Sequence, residues 1–209
     1  MESIRKSVGL AMAVLVLGLI GSCTSTRLVE AWVDKSYQGG PLESIMVIGL
    51  SDNVRRRGMF EDALVAGFER RGVRAVASLS VAPDKESLDM DAIKRKVRQL
   101  GLKSIIVTRL VGTERETYYV PGRSYVIPYG YYYRFRGYYR YAYRYAYEPG
   151  YWAEYDVFKL ETNLYDVATD GLVWSAASES IDPLSLEEVV ASLSAQIIDS
   201  LSKYGLLRP

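Results

Sequence analysis

The chain is 209 residues long, with 26 Lys and Arg against 25 Asp and Glu, no histidine and a single cysteine. The balanced charge argues against general nucleic-acid binding, which draws on counterion release from a basic surface. The missing histidine excludes Ser-His-Asp and Cys-His catalysis and the commonest metal ligand, and one cysteine excludes an intrachain disulfide.

Arg5 and Lys6 precede an unbroken apolar run from Val8 to Ile20, too short for a comfortable bilayer span. This reads as a secretory signal over residues 1–22. The run ends in Ile20-Gly21-Ser22-Cys23, which resembles a bacterial lipobox. The resemblance implies that Cys23 is lipidated and becomes the mature N-terminus, which explains a lone cysteine in an exported chain. A plain signal peptide with a stray cysteine is the alternative. Thr24 stands where the sorting rule of double-membraned bacteria looks for aspartate, and its identity implies the outer membrane, facing the periplasm. Residues 23–26 are then a tether, and residues 27–209 form a single domain.

"RLVEAWV" (27–33) reads as a first strand, and "SIMVIGL" (44–50) as a strand covered on both faces. "SDN" (51–53) caps a helix running to about Arg71, with Phe60, Ala63, Leu64, Gly67 and Phe68 on one face and Gly72 as its stop. A strand over 73–81 and a helix over 88–101 follow, the helix with Asp89 and Asp91 at its start and basic residues toward its end. "SIIVTRLVGTERETYYV" (104–120) is the next strand. After an insertion, "EYDVFKLETNLYDV" (154–167) and "LVWSAASES" (172–180) form a hairpin around an Asp-Gly turn. The last helix opens with Ser185 and Glu188 in a capping-box arrangement and carries an apolar stripe of Leu186, Val189, Val190, Leu193, Ile197, Leu201 and Tyr204. The stripe is under three heptads, so it is expected to dock on its own sheet. The expected fold is α/β, with α+β the alternative: one mixed sheet of five to six strands and three helices, ordered β-β-α-β-α-β-arm-β-β-α.

The insertion at 121–150 is bracketed by Pro121-Gly122 and Pro149-Gly150. Fourteen of the eighteen tyrosines fall between Tyr118 and Tyr151, among five arginines. From Tyr139 to Tyr147 every odd position is tyrosine, so an extended arm would carry a tyrosine row on one face. Disorder, internal packing, strand-mediated assembly and recognition of a partner are all compatible with this composition. Tyrosine offers rigid amphipathic area, and arginine binds carboxylates and phosphates. The partner contacts are therefore assigned to Tyr131, Tyr133, Arg134, Arg136, Tyr139, Arg140, Tyr141, Tyr143, Arg144, Tyr145 and Tyr147. Peptidoglycan, another polysaccharide or an envelope protein is the expected partner, besides the membrane that holds the lipid.

"VIGLSDN" (47–53) places Gly49, Ser51, Asp52 and Asn53 where α/β folds often bind ligands, but no dinucleotide or P-loop pattern is present and no cofactor is expected. Arg55, Arg56 and Arg57 at the following helix start mark either an anionic partner or a solvated cap. Glu154, Asp156, Glu161 and Asp166 are the carboxylates a glycan hydrolase would need, if they converged. Neither calcium-loop nor zinc-ligand spacing appears, so no metal is expected.

Residues 31–81, from "AWVDKSYQGG" to "VRAVASLSV", with "GLKSIIVTRLVGTE" (101–114), resemble a family of uncharacterised bacterial lipoproteins. More loosely they resemble the small α/β domain of the TolB N-terminal region, of curli-secretion lipoproteins and of penicillin-binding-protein activator lipoproteins. The resemblance implies fold and compartment and transfers no functional residue. The expected function is that of a non-enzymatic, membrane-anchored periplasmic adaptor or binding protein. The alternatives are an oligomeric secretion or assembly component and, less favoured, a carboxylate-dependent glycan hydrolase.

Overall fold

The computed structural model describes residues 26–83, 89–122, 134–140 and 150–208. The segment expected to be a signal (1–22), Cys23 and most of the tyrosine arm lie outside the described residues. The elements in order are β1 (Thr26–Val33), β2 (Ser44–Leu50), α1 (Val54–Arg70), β3 (Arg74–Ala77), α2 (Met90–Gln99), β4 (Ser104–Val120), β5 (Tyr151–Asp166), β6 (Leu172–Ile181) and α3 (Leu186–Lys203). They build one mixed six-stranded sheet in the order β1-β6-β5-β4-β2-β3. The β2-β3 and β2-β4 pairs are parallel, and the β4-β5, β5-β6 and β1-β6 pairs are antiparallel. The fold is therefore the expected α/β sandwich of helices on a mixed sheet, with an additional short helical segment at residues 135–140.

Helices α1 and α3 cover one face. Their inward residues Phe60, Leu64, Phe68, Leu193, Ile197 and Leu201 meet Ile45, Val47, Ile106, Leu164 and Trp174 from the strands. Each such side chain contributes roughly 1.5–3 kcal/mol on burial. On the other face α2 contributes Ile93 and Val97 to a smaller cluster with Met46, Ile48 and Leu102. β2 is buried on both faces for this reason, which is why its sequence is continuously apolar. The α3 stripe docks on its own sheet, as expected, while Tyr204 falls at the C-cap. Gly67 lets α1 and α3 approach closely: a Cβ there would lie 2.9 Å from Ile198 Cγ1.

Caps follow the sequence signals. Asn53 Oδ1 accepts the Arg56 N–H at 3.0 Å, and Gly72 closes α1 with φ +74°. Ser185 Oγ accepts the Glu188 N–H at 3.1 Å, but Glu188 reaches back to the Leu184 N–H at 3.2 Å, one residue earlier than in a reciprocal capping box.

Two expectations need correction. The strand expected over 73–81 ends at Ala77 and turns into a 3-10 segment, Ser78–Ser80. The cause is a carboxylate: Ser78 Oγ and the Leu79 N–H both donate to Glu61 at 2.7 Å, so the backbone leaves the ladder for the helix. The period-two extension expected from Tyr139 is also not followed at its start. Residues 135–140 are helical, with the Gly137 and Tyr138 N–H groups donating to the Arg134 carbonyl at 3.0 and 3.1 Å. Phe135 and Tyr139, four residues apart, bring their rings to 5.5 Å, the neighbourhood that helical spacing gives and an extended strand does not.

Candidate functional site

β4 and β5 outrun the sheet. β4 pairs with β2 only as far as Arg109, and β5 pairs with β6 only from Val157. Beyond these points Arg115–Val120 and Tyr151–Asp156 pair with each other alone. They form a two-stranded ribbon of six residue pairs, about 20 Å long at ~3.4 Å per residue.

The ribbon changes character along its length. Next to the sheet it is charged. Arg115 Nε donates to Asp156 at 3.1 Å and its Nη1 lies 3.9 Å from Glu154. Asp156, through hydrogen bond and charge, holds the Arg115 guanidinium above its ordinary pKa. Lys159 bridges to Glu114 at 2.6 Å. The Tyr155 hydroxyl donates to the Glu116 carboxylate, which raises the phenol's pKa. Toward its end the ribbon becomes aromatic. By register Tyr118, Tyr155 and Tyr151 share one face, and Tyr119 and Trp152 share the other. Tyr118 meets Tyr155 edge-on at 5.6 Å, and Tyr119 tilts against Trp152 at 5.4 Å. Trp152 is 70% exposed, and Tyr118, Tyr119 and Tyr151 are exposed as well. At the neck of the arm a Cβ on Gly150 would lie 2.9 Å from the Gly122 backbone nitrogen, so glycine is required for the two ends to meet.

Of the residues assigned to partner contact, Arg134, Arg136, Tyr139 and Arg140 are exposed on or beside the short helical segment. Tyr131, Tyr133, Tyr141, Tyr143, Arg144, Tyr145 and Tyr147 lie outside the described residues. Of the exposed aromatics of the ribbon, Tyr118 and Tyr119 are legible as strand residues, while Tyr151 and Trp152 precede the strand expected over 154–167, which starts three residues earlier, at Tyr151; none is legible as a projecting surface. Their strand partners had to be known first.

A cavity of about 410 Å³ lies between the N-terminal ends of α1 and α3. Phe60, Leu110, Phe158, Leu160, Leu186 and Val190 are among its walls, and Ser51, Arg56 and Ser185 are among its polar residues. The "VIGLSDN" turn does border this cavity. Its chemistry is structural, however. Arg57 and Glu61 are an ion pair at 2.9 Å with side chains only 3% and 0% exposed. Glu61 also accepts the Gly49 N–H at 3.0 Å, and Arg57 donates to Ser78 Oγ and the Ala82 carbonyl. Arg55 pairs with Glu187 across the two helix starts at 3.4 Å. The arginine run is thus divided between a buried lock at Arg57, which also borders the cavity, an interhelical bridge at Arg55, and Arg56 at the cavity.

The four strand carboxylates do not converge. Glu154 and Asp156 share Arg115 on one face of the ribbon. Glu161 is on the opposite face by register, roughly 17 Å along the strand from Asp156, held by Arg109 at 2.5 Å and Asn163 at 2.8 Å. Asp166 accepts the Thr169 N–H and hydroxyl in the hairpin turn. Among the described residues no group of His, Cys, Asp and Glu is placed to hold a metal ion, and no helix is long and apolar enough to cross a membrane.

No family model and no curated protein matches the chain. Solved structures are similar to it only at low identity and low TM-score. The PelC dodecamer from Paraburkholderia phytofirmans is 11% identical, over 84% of this chain and 96% of that one, with a TM-score of 0.43. A lipoprotein from Neisseria meningitidis is 12% identical, over 77% and 99%, with a TM-score of 0.41. A PDZ domain protein from Parabacteroides distasonis is 10% identical, over 86% of this chain and 36% of that one, with a TM-score of 0.42.

Proposed function

We propose that this chain is a non-enzymatic, lipid-anchored lipoprotein of a bacterial envelope. It acts as an adaptor, using the β4-β5 ribbon and the tyrosine/arginine arm as its contact surface. The observation that carries this is the ribbon itself: six residue pairs leave the sheet and end in exposed aromatic side chains. A monomeric protein that needed these strands only for its core would end them with the sheet. Tyr and Trp present large contact area at little entropic cost, as recognition surfaces require. The anchor rests on the apolar segment that ends in Ile20-Gly21-Ser22-Cys23, and the outer membrane on Thr24. A protein or a glycan of the envelope is the partner such a surface suits. The dispersal of the four carboxylates, each tied to a basic, amide or hydroxyl partner, supports a binding role over hydrolysis.

The test compares the intact chain with one in which residues 123–149 are replaced by a two-residue turn. Both are recovered from their own membranes by affinity capture. Loss of one or more captured components, or of retention on peptidoglycan sacculi, is the expected result. Identical partners and identical retention, in this variant and in one that also carries Tyr118→Ser, Tyr119→Ser, Tyr151→Ser and Trp152→Ser, would remove the ribbon and arm from the function.

A further inference from the structure

We infer that the cavity between the first turns of α1 and α3 binds one fatty acid, with the acyl chain inside and the carboxylate on Arg56. This site is separate from the contact surface at the ribbon's end and does not depend on a lipid at Cys23. A packed interior leaves few voids larger than a water molecule, so a space of about 410 Å³ is more than a packing defect. Small-molecule sites span roughly 300–1,000 Å³, and a cavity toward the lower end takes one acyl chain rather than a two-chain phospholipid.

The shape follows from where the helices touch. α1 and α3 close on each other at Gly67 and Ile198, toward their C-terminal ends. The cavity lies at their other ends, over Leu110 and Leu160, which face each other across β4 and β5. Its wall on α3 runs from Leu186 to Leu193, two turns or about 10 Å at ~1.5 Å per residue. Leu193 closes the deep end, whereas Leu50 and Leu110 stand half exposed in the lining. Leu184 keeps the mouth apolar and open. It occupies N′ of α3, where a hydrophobic staple would pack it on Val189 at N4, yet it is 95% exposed and Val189 faces the cavity instead. An elongated slot, closed and apolar at one end and open at the other, suits a chain better than a compact ring.

The charges decide the head. Carboxylates around the two helix starts are engaged: Glu61 with Arg57, Glu161 with Arg109, Glu187 with Arg55, and Glu188 with the Leu184 N–H. Asp52, in the preceding turn, is not part of the lining. Arg56 does line the cavity and is exposed to solvent, and among the described residues no carboxylate pairs with it. The first turn of α1 also carries no acidic residue, so its positive end is unopposed. One guanidinium matches one carboxylate through two parallel hydrogen bonds. A single cation at the edge of an apolar slot is complementary to a single-chain acid.

The experiment uses the full chain, purified from bacterial membranes and placed in phosphatidylethanolamine/phosphatidylglycerol vesicles. The probe is myristic acid carrying a diazirine at its methyl end. Irradiation is expected to label the 186–193 segment of α3, read by peptide mass spectrometry. Excess plain myristate should suppress that label, and the same excess of myristyl alcohol should leave most of it. Arg56→Gln, a change at an exposed position, should keep the thermal midpoint and lower the label roughly tenfold, the loss expected for a hydrogen bond to a charged group. Val189→Trp fills the slot from its wall and should abolish the label with the midpoint held; if that variant does not fold, Arg56→Gln decides alone. Label concentrated away from the cavity, label unchanged in folded Arg56→Gln, or suppression by myristyl alcohol equal to that by myristate overturns the assignment.

Discussion

The side-chain amide of Gln196 stands in for a missing strand beside Leu28. Its Oε1 accepts the Leu28 N–H at 2.8 Å while its Nε2 donates to the Thr26 carbonyl. β1 is an edge strand, so these two backbone groups would otherwise be open to pairing with another chain. A register shift between Leu28 and Glu30 breaks the remaining run, and the Tyr204 hydroxyl donates to the Ala31 carbonyl at 3.3 Å. Gln196→Ala is expected to cost about 1–3 kcal/mol, two hydrogen bonds' worth. Urea unfolding reads the loss, and amide exchange should show Leu28 losing protection.

The Arg57–Glu61 pair is the least tolerant point of the fold. Glu61→Ala removes the counter-charge of a buried guanidinium and the acceptor of three further donors, Gly49 N, Ser78 Oγ and Leu79 N. A loss of about 3–5 kcal/mol is expected. The double variant Arg57→Met with Glu61→Leu should recover a large part of it, since a well-packed apolar pair replaces an ionic one at little cost. Denaturant midpoints of the two variants make the comparison.

Gly67 marks the α1-α3 contact. Gly67→Val places methyl groups where even a Cβ would come within 2.9 Å of Ile198. Overpacking of this kind costs about 1–3 kcal/mol, measurable as a lower thermal midpoint. The Gly67→Val, Ile198→Ala double variant should recover part of it.

Acid should weaken the sheet through Glu161. Its carboxyl is held below the ordinary value first by the Asn163 amide, against partial desolvation, and then by Arg109. A carboxyl with a lowered folded pKa stabilises fully above its unfolded pKa, ~4.3, and that contribution is lost as pH falls through the folded value. Stability should therefore fall from about pH 4.3 downward. Glu161→Gln should flatten that part of the profile in urea titrations at stepped pH.

The sequence was most legible where one face of one element carried the signal. β4 was expected over 104–120 and spans Ser104–Val120, and the α3 stripe reported its own docking. It was least legible where distant residues meet. The burial of Arg57 depends on Glu61 four residues on, but also on Ser78 and Ala82, which reach it only through the β3 turn. The same contacts cut β3 short, so one unseen network accounts for both surprises. The cavity draws its walls from α1, β4, β5 and α3 and leaves no local mark. The ribbon was half visible: its aromatic residues could be read, but its independence from the sheet follows only from where β2 and β6 stop pairing.

The near-contact of Gly122 and Gly150 has a consequence for how this chain can vary. The two ends of the arm are already brought together by the ribbon, so whatever lies between them closes a loop whose cost rises by only about 0.6 kcal/mol for each doubling of length. The neck behaves as a socket. Different inserts can be fitted to it without altering the sheet that carries them, so the segment between Gly122 and Gly150 is free to change in length and composition while the domain stays the same.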